Sequence, residues 1–326
     1  MIKNRSEIVF LYDASWINPN GDPVDENKPR FDEESGRNLV TDVRIKRTIR
    51  DYLHQVEGRE IFVREIADDQ GLIQDGKQRA ADFLVDENGE KLAKSSKKDK
   101  KDKSAEEMSD KQIIRMNVLK DCIDVRLFGA TIPLDGDSIT LTGPVQFKLA
   151  SSLHRAKMEY IKGTGAFASD AGYTRKTFRE EYVVAYSLLN VYGIINENCA
   201  KETNLQEEDV YQLLNGLWNG TKSLHSRSKV GQMPRVLLKV EYSKPHYHIG
   251  ELDKGIKMVM DSGKLDEEIR DVEEYQLDFT NWLERVGKYK DHIAKISFAI
   301  DDRIRFTQNP VEALQKMGIP NEQLSL

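Results

Sequence analysis

An α+β fold with long insertions is predicted by the order of apolar patterns along the chain. Residues 7–12 form a short apolar run typical of a strand, and residues 42–56 after it have helical periodicity. A similar order returns later, where a continuous apolar run precedes an amphipathic helix and a final strand. The expected order β-α-β-β-α-β is that of an RRM-type or ferredoxin-like sheet. Its strands are expected at 7–12, 61–66, 181–195 and 235–242, and its helices at 42–56 and 207–218.

The first helix has the clearest pattern. Thr41 or Asp42 can cap it by accepting hydrogen bonds from its first backbone N–H groups, and Gly58 ends it. Five apolar side chains recur at helical spacing and predict a buried stripe: Ile45, Ile49, Tyr52, Leu53 and Val56.

The remaining segments are predicted to be insertions and an extension. Residues 86–111 mix charges of both signs with few large apolar side chains, so we expect a mobile loop. Residues 111–128 recover a helical pattern. Residues 139–149 are typical of a strand with Gly143 and Pro144 inside it. The last seventy residues carry amphipathic stretches around Trp282 and a strand at 296–300.

Composition restricts the function classes. The 326 residues contain no apolar run of the roughly 18 residues that a membrane span requires, and residues 1–10 have no signal-peptide pattern. The two cysteines, Cys122 and Cys199, form no disulfide pattern and fit a reducing cytoplasm. The net charge of -6 argues against a uniformly basic nucleic-acid binder, but a local cluster of cations is sufficient to hold phosphates.

The first such cluster lies on the helix at 42–56. Arg44, Lys46, Arg47 and Arg50 occupy two turns, at spacings of three and four that place like charges on one face. Arg presents a planar fork to phosphate, and Lys presents a point charge. We therefore predict phosphate binding here, against the alternative of a solvated helix face.

The second cluster lies in the loop at 224–235, between a helix and a strand. Arg227, Lys229 and Arg235 alternate there with Ser, Gly and Gln residues. Small residues let backbone N–H groups approach a phosphate, and the cations add charge. An ordinary connecting loop is an equally good interpretation of this pattern.

The third cluster spans residues 151–178. Cations alternate there with apolar or aromatic side chains, which is typical of contacts with single-stranded nucleic acid, although plain packing produces the same pattern. The cations are His154, Arg155, Lys157, Lys162, Arg175 and Lys176, and the intervening side chains are Met158, Tyr160, Phe167 and Tyr173.

Metal sites are weakly indicated. Asp13 and Asp22, near Asn18 and Asn20, could bind Mg²⁺, although Asp, Asn, Gly and Pro in one loop are first of all turn formers. His246 and His248 are expected on one face of a strand. No third zinc ligand accompanies them, and we predict neither a metal nor a cofactor.

Four segments, in this order and at these intervals, resemble one family. They are Asn18-Pro-Asn-Gly-Asp22, the run from Leu39 to Asp51, Asp124-Val-Arg-Leu-Phe-Gly-Ala130 and Gly143-Pro-Val-Gln-Phe147. Together they resemble the Cascade backbone subunit family, the seventh CRISPR-associated protein, over roughly residues 5–250. The Lys-rich insertion is closer to the type I-B branch than to the type I-C branch.

The resemblance implies a hand-shaped subunit of a type I CRISPR surveillance complex that does no chemistry. Copies would stack head to tail along one CRISPR RNA, beside other Cascade subunits, and present the guide to a target DNA strand. The implied parts are an RRM-like palm (1–66, 141–150 and 181–250), fingers (67–140), a thumb hairpin (151–180) and a palm extension (251–326).

The resemblance and the basic clusters together give the expected site residues. RNA-binding residues are expected to be Arg44, Lys46, Arg47, Arg50, Asn18, Asn20, Gln146, Arg227, Lys229 and Arg235. Thumb residues that wedge between bases are expected to be Met158, Tyr160, Phe167, Arg175 and Lys176. The alternative is a metal-dependent ribonuclease, as in type III backbone subunits, in which an Asp of the first loop cuts target RNA. Asp22 is the nearest position for that role.

Overall fold

The computed structural model describes residues 1–67, 70–93, 108–164, 178–260 and 263–326. Phe167, Arg175, Lys176 and residues 94–107 lie outside the described residues. The chain divides into two compact units. The sheet unit comprises Asn4–Ile49, Phe147–Ile194 and Leu214–Leu326, and the smaller unit comprises Met1–Lys3, Arg50–Gln146 and Ile195–Leu213.

The mixed α+β architecture is confirmed. A large sheet has the strand order β15-β14-β11-β1-β10-β8-β4-β3-β2, and β9 pairs with β10. Its strands are β1 (Ser6–Ile17), β2 (Gly21–Asp22), β3 (Lys28–Asp32), β4 (Arg37–Val40), β7 (Val145–Phe147), β8 (Ala150–Ser152), β9 (Met158–Thr164), β10 (Phe178–Ile195), β11 (Met233–Tyr242), β14 (Ile293–Ile300) and β15 (Asn321–Gln323). Two separate hairpins are β5 (Gly129–Leu134) with β6 (Asp137–Thr142), and β12 (Lys257–Met260) with β13 (Tyr275–Asp278).

The centre of the sheet is buried on both faces. Strand β1 pairs antiparallel with β11, with Phe10 opposite Leu237, and β11 pairs antiparallel with β14, with Leu238 opposite Phe298. Nine consecutive residues of β1 are buried, which explains why the sequence shows a continuous apolar run rather than an alternating one. The strand predicted at 7–12 is therefore confirmed and extends further at both ends.

The predicted helices at 42–56, 111–128 and 207–218 are present. They are α1 (Asp42–Gln55), the pair α3 (Asp110–Asp121) and α4 (Ile123–Phe128), and α6 (Glu207–Lys222). The Thr41 hydroxyl caps α1 by accepting from the N–H of Arg44 at 3.3 Å. Val56 is 61% exposed, so its place in the buried stripe was wrong. The other described helices are α2 (Gly76–Ala81), α5 (Glu197–Thr203), α7 (Thr280–Lys288) and α8 (Pro310–Lys316).

The predicted strand at 61–66 is wrong. This segment of the smaller unit is irregular, and its backbone amides bind a side chain instead of a neighbouring strand. The buried Asp124 carboxylate accepts from the N–H groups of Phe62 at 2.8 Å and Val63 at 3.1 Å. A buried carboxylate therefore satisfies the donors that a sheet would otherwise pair.

The segment at 139–149 is interrupted at Gly143. Strand β6 ends at Thr142 and β7 begins at Val145, so the single predicted strand is two. A Cβ on Gly143 would lie 1.9 Å from the carbonyl carbon of Phe128, and a Cβ on Gly129 would lie 2.2 Å from the Leu141 oxygen. Two segments of the family resemblance thus touch through their backbones, which only glycine permits at both positions.

The C-terminal extension contributes to the core of the sheet unit. Trp282 of α7 is fully buried, and β14 contains the strand predicted at 296–300. The strand predicted for His246 and His248 is wrong, because β11 ends at Tyr242 and His246 has a φ of 61° in the following turn. In the described part of the chain, no helix is long and apolar enough to cross a membrane.

Candidate nucleic-acid interface

Asn18 and Asn20 belong to the first loop, residues 18–36. Their hydrogen bonds connect this loop to the start of α1 and to the loop before β11. The Asn20 side-chain oxygen accepts from the Thr41 N–H at 2.8 Å and from the Thr41 hydroxyl at 2.9 Å. The Asn18 backbone N–H donates to the Ser228 carbonyl at 3.1 Å, and its side-chain amide donates to the Asn27 carbonyl at 2.6 Å. Three segments that are distant in sequence therefore meet in the sheet unit.

Lys229 and Arg44 come together at this junction. The Lys229 ammonium donates a hydrogen bond to the backbone carbonyl of Asn18. Burial and, to a smaller extent, the nearby Arg44 guanidinium together lower the pKa of Lys229 to about 8. Arg44 lines a small cleft with Tyr12, Thr48, Thr221 and Gln232, and we call this cleft together with Lys229 the cationic cleft. Members of two separately predicted clusters thus lie at one place.

The cations of α1 have different surroundings. Lys46 pairs with Asp42 one turn earlier at 3.2 Å, and the Arg47 side chain is exposed. Arg50, in the part of the helix that belongs to the smaller unit, pairs with the fully buried Asp124 at 3.0 Å, and its guanidinium lies 5.1 Å from the Phe128 ring centroid. Arg50 is therefore directed toward the core of that unit.

The cations around β11 are also ion-paired. Arg235 is buried between two carboxylates, with Asp13 at 2.8 Å and Asp301 at 2.5 Å. Arg227 pairs with Glu181 of β10.

Gln146, the remaining predicted RNA-binding residue, lies in the smaller unit. Its side-chain amide donates to the Gly143 carbonyl at 3.0 Å, and the residue is exposed.

Strands β9 and β10 form an antiparallel hairpin with Met158 opposite Val184 and Thr164 opposite Phe178. Met158 and Tyr160 of β9 are exposed, and the Tyr160 ring lies 5.1 Å from that of Tyr182. A hydrogen bond to Glu180 is the largest cause that raises the pKa of Tyr160 to about 12. The Tyr160 phenol therefore stays neutral at ordinary pH.

The hairpin contacts the first loop. The Tyr182 hydroxyl donates to the Glu26 carboxylate at 3.4 Å, and the Lys28 ammonium lies 5.2 Å from the Tyr182 ring centroid. The same loop supplies Asn18 and Asn20, so the cationic cleft and the hairpin are linked through it.

The two acidic candidates, Asp13 of β1 and Asp22 of the first loop, pair with arginines. Arg235 pairs with Asp13, as described above, and burial raises the pKa of Asp13. Asp22 pairs with Arg30 at 2.7 Å and accepts from the N–H of Val24 at 3.1 Å. Among the described residues, no group of three or more His, Cys, Asp or Glu is arranged to hold a metal ion.

Sequence analysis missed two features, one in each unit. The ion pair of Arg126 with Asp209, at 2.8 Å, fixes α4 against α6 in the smaller unit. Trp16 lies two residues before Asn18, is 51% exposed, and adopts a φ of 56°. The sequence signal for Trp16 was an aromatic residue directly before the first loop. The residues around it resemble an ordinary strand end, so this signal did not single out Trp16.

Known proteins resemble this chain in both fold and sequence. A chain of a solved structure, "CRISPR RNA-guided surveillance complex, pre-nicking", has a similar α+β fold, with a TM-score of 0.54 and 13% identity over 96% of this chain and 99% of that chain. Residues 4–280 match the family described as CRISPR-associated protein Cas7. A CRISPR-associated protein Cas7 from Haloferax volcanii is 30% identical over 321 residues, which cover 92% of this chain and 88% of the relative. The chain belongs to the Cas7 family.

Proposed function

We propose that this protein is the backbone subunit of a type I CRISPR surveillance complex and that it binds CRISPR RNA without cutting it. Its Cas7 family membership supports this role, as does its fold, which is similar to that of a chain in an RNA-guided surveillance complex. Several copies would stack head to tail along one guide RNA, beside other Cascade subunits. The guide would then pair with a target DNA strand. The type I-B branch is the subtype that the sequence resembles most.

The cationic cleft is the observation that carries the proposal. Burial and the charge of another cation, Arg44, together lower the pKa of Lys229 to about 8. Two like charges held close together in a partly buried position disfavour each other. An RNA phosphate bound at this place would offset both the desolvation and the repulsion. Arg47, exposed one turn further along α1, would extend the same strip.

Contacts of this kind suit a subunit that must hold any guide sequence. Lysine and arginine bind phosphates irrespective of the base, so affinity is independent of sequence. Base pairing between guide and target then supplies the specificity. Arg50 and Arg235 are directed toward buried carboxylates, and we propose Arg44, Arg47 and Lys229 as the phosphate-binding cations.

The parts of the hand are assigned by position. The sheet unit would supply the RRM-like palm, residues 67–140 of the smaller unit would supply the fingers, and the β9–β10 hairpin would be the thumb. The exposed Met158 and Tyr160 on that hairpin are the residues that we propose to wedge between bases at the junction of two copies.

The absence of RNA cleavage is part of the proposal. Arg235 and Arg30 engage the carboxylates of Asp13 and Asp22, which are the two acidic residues that the ribonuclease alternative needs. Labelled complementary RNA incubated with the RNA-loaded protein and Mg²⁺ or Mn²⁺ should remain intact. Cleavage that disappears in Asp22→Ala would establish the ribonuclease instead.

Phosphate binding is tested by the salt dependence of affinity. The variant Arg44→Ala/Lys229→Ala should bind all RNA sequences more weakly and to the same extent. Each lost contact should reduce the magnitude of the slope of log K against log salt by about 0.7. Lys244→Ala/Lys257→Ala, which removes the same net charge at two exposed positions, is the matched control and should keep the slope. Equal slopes in the two double variants would contradict the assignment.

A further inference from the structure

Trp16 has an unusual backbone for its side chain. Its φ of 56° lies in the left-handed region, where a side chain with a Cβ is disfavoured relative to glycine. The residue is nevertheless tryptophan, and 51% of it is exposed to solvent. A strained conformation that presents a large aromatic ring to solvent indicates a use for the ring, because neither the backbone nor the core requires it.

The backbone on both sides of Trp16 is fixed. The Ser15 hydroxyl donates to the Ala185 carbonyl of β10 at 3.4 Å, and the Asn18 N–H donates to the Ser228 carbonyl at 3.1 Å. These contacts come from two different neighbours, so the strained residue is held in place by the surrounding fold. The ring is therefore presented from a rigid position rather than from a loose loop.

A cation accompanies the indole ring. The Arg270 guanidinium lies 6.0 Å from its centroid, within the range of a cation–π contact. Arg270 is itself fixed, since its side chain donates to the carbonyls of Glu267 at 2.6 Å and Ile269 at 2.7 Å. The indole ring of Trp16 thus has one fixed guanidinium beside it.

The cationic cleft begins two residues further along the chain. The carbonyl of Asn18 accepts from Lys229, and two residues of extended chain span at most about 7 Å. A strand whose phosphate binds Lys229 and Arg44 would therefore run within reach of the residue that carries the indole ring. Aromatic rings beside a cationic track are the arrangement on which single-stranded nucleic acids stack their bases.

We propose that Trp16 is a stacking platform for one nucleobase of the RNA strand whose phosphates bind at the cationic cleft. This inference rests on the proposed function and adds a base-binding subsite to it. Stacking tolerates every base, because each base has a π face, so the subsite is compatible with a variable guide. It would hold one base while its neighbours remain available for pairing.

The test compares ordinary and abasic RNA. Strands of roughly 6 nucleotides, within the site sizes of single-strand-binding domains, limit the measurement to one copy of the protein. One set carries bases, and the other has the same ribose-phosphate backbone without them. Trp16→Ala should lose roughly 5- to 150-fold in affinity for the base-containing strand and nothing for the abasic strand. Trp16→Phe should retain most of the affinity, because it keeps an aromatic face.

Two further variants separate stacking from folding and from phosphate binding. Trp16→Gly removes the ring and also the strain, so it should lose the same affinity while remaining at least as resistant to denaturant as the native protein. Arg44→Ala should weaken binding to both strands. Tyr211→Ala removes another exposed aromatic side chain and should change neither affinity.

Each other result overturns the inference in a recognisable way. Native affinity of Trp16→Ala for base-containing RNA would leave RNA binding intact and remove the stacking role. An equal loss on both strands would show that Trp16 only positions the cleft. If Trp16→Ala binds short RNA normally but does not assemble on long RNA, the ring contacts a second copy of the protein instead. If the native protein binds neither strand, the proposed function fails together with the inference.

Discussion

The Lys229 ammonium lies close enough to the Arg44 guanidinium for that charge to lower its pKa, although the two residues belong to segments far apart in sequence. The hydrogen bond from Lys229 to the Asn18 carbonyl connects both to the first loop. Because the carbonyl is neutral, this hydrogen bond does not neutralise the Lys229 ammonium. The relationship between these two residues determines how the proposed interface should respond to pH, salt and substitution.

RNA binding should weaken as the pH rises through about 8. The pKa of Lys229 is lowered to about 8, so the ammonium loses its charge above that pH, and phosphate binding requires the charged form. Affinity should be constant below about pH 7 and decline above about pH 8. Lys229→Arg remains protonated throughout and should give a flat profile. Parallel profiles for the two proteins, measured by anisotropy titration, would contradict this assignment.

The stability of the free protein should respond to the same group with the opposite sign. The pKa of Lys229 is lower in the folded chain than the roughly 10.4 of an unfolded one, so the unfolded state binds more protons between about pH 8 and 10. The free energy of unfolding contributed by this group therefore rises with pH across that window. Lys229→Met lacks the buried ammonium, so it should be more stable than the native protein at about pH 7. Denaturant unfolding of both proteins should show this difference in the free energy of unfolding shrinking as the pH rises to about 10.

Alanine substitution of Arg50 should mainly reduce stability, whereas alanine substitution of Arg47 should mainly weaken RNA binding. Arg50→Ala leaves the fully buried Asp124 without its cation and should lower the free energy of unfolding by about 3 kcal/mol. Arg47→Ala changes an exposed side chain and should cost less than about 0.5 kcal/mol, while weakening RNA binding and reducing its salt slope. Urea unfolding and salt titrations separate the two effects. Comparable stability losses in both variants would show that the buried pair is not the structural contact described.

Gly143 should tolerate no larger residue. A Cβ there would lie 1.9 Å from the Phe128 carbonyl carbon, and both groups are backbone, so Gly143→Ala should destabilise by at least about 3 kcal/mol. Gly58→Ala is the control, because nothing lies near its added Cβ and only its φ of 63° disfavours a side chain. That variant should cost about 1 kcal/mol from backbone strain alone. Similar denaturant midpoints for both alanine variants would contradict the close backbone approach.

The β9–β10 hairpin should affect assembly more than folding. Met158→Ser/Tyr160→Ser changes two exposed side chains, so the thermal midpoint should move little and single copies should still bind short RNA. Assembly on long guide RNA should be reduced, because these substitutions remove the side chains that we propose to wedge between bases at the junction of two copies. Light scattering on both RNA lengths distinguishes the steps. Undiminished assembly would place the contact between copies elsewhere in the chain.

Most of the core elements could be predicted because their apolar patterns are local. The stripe containing Ile45, Ile49 and Leu53 identifies α1, and a continuous apolar run identifies β1. Residues 61–66 could not be predicted, because their amides bind Asp124, which lies about sixty positions away in sequence. No local pattern signals such a tertiary partner.

The site was predictable as separate pieces. The sequence indicates Arg44 and Lys229 as members of two basic clusters, but their convergence depends on Asn18 and Asn20, whose hydrogen bonds fasten the first loop to both segments. Arg47 and Arg50 are chemically identical and three positions apart. The buried partner of Arg50 becomes visible only in the folded chain, so the sequence alone could not identify Arg50 as a structural arginine.

The stoichiometry of the protein on RNA of increasing length tests the central claim most directly. Native mass spectrometry of the purified chain on guide RNAs of several lengths should show nucleic acid bound to multiple copies, with copy number increasing in proportion to RNA length and the RNA intact. A head-to-tail interface need not close, so it permits this open growth. A single copy at every RNA length, or shortened RNA after incubation with Mg²⁺, would contradict the account of a non-cleaving backbone subunit.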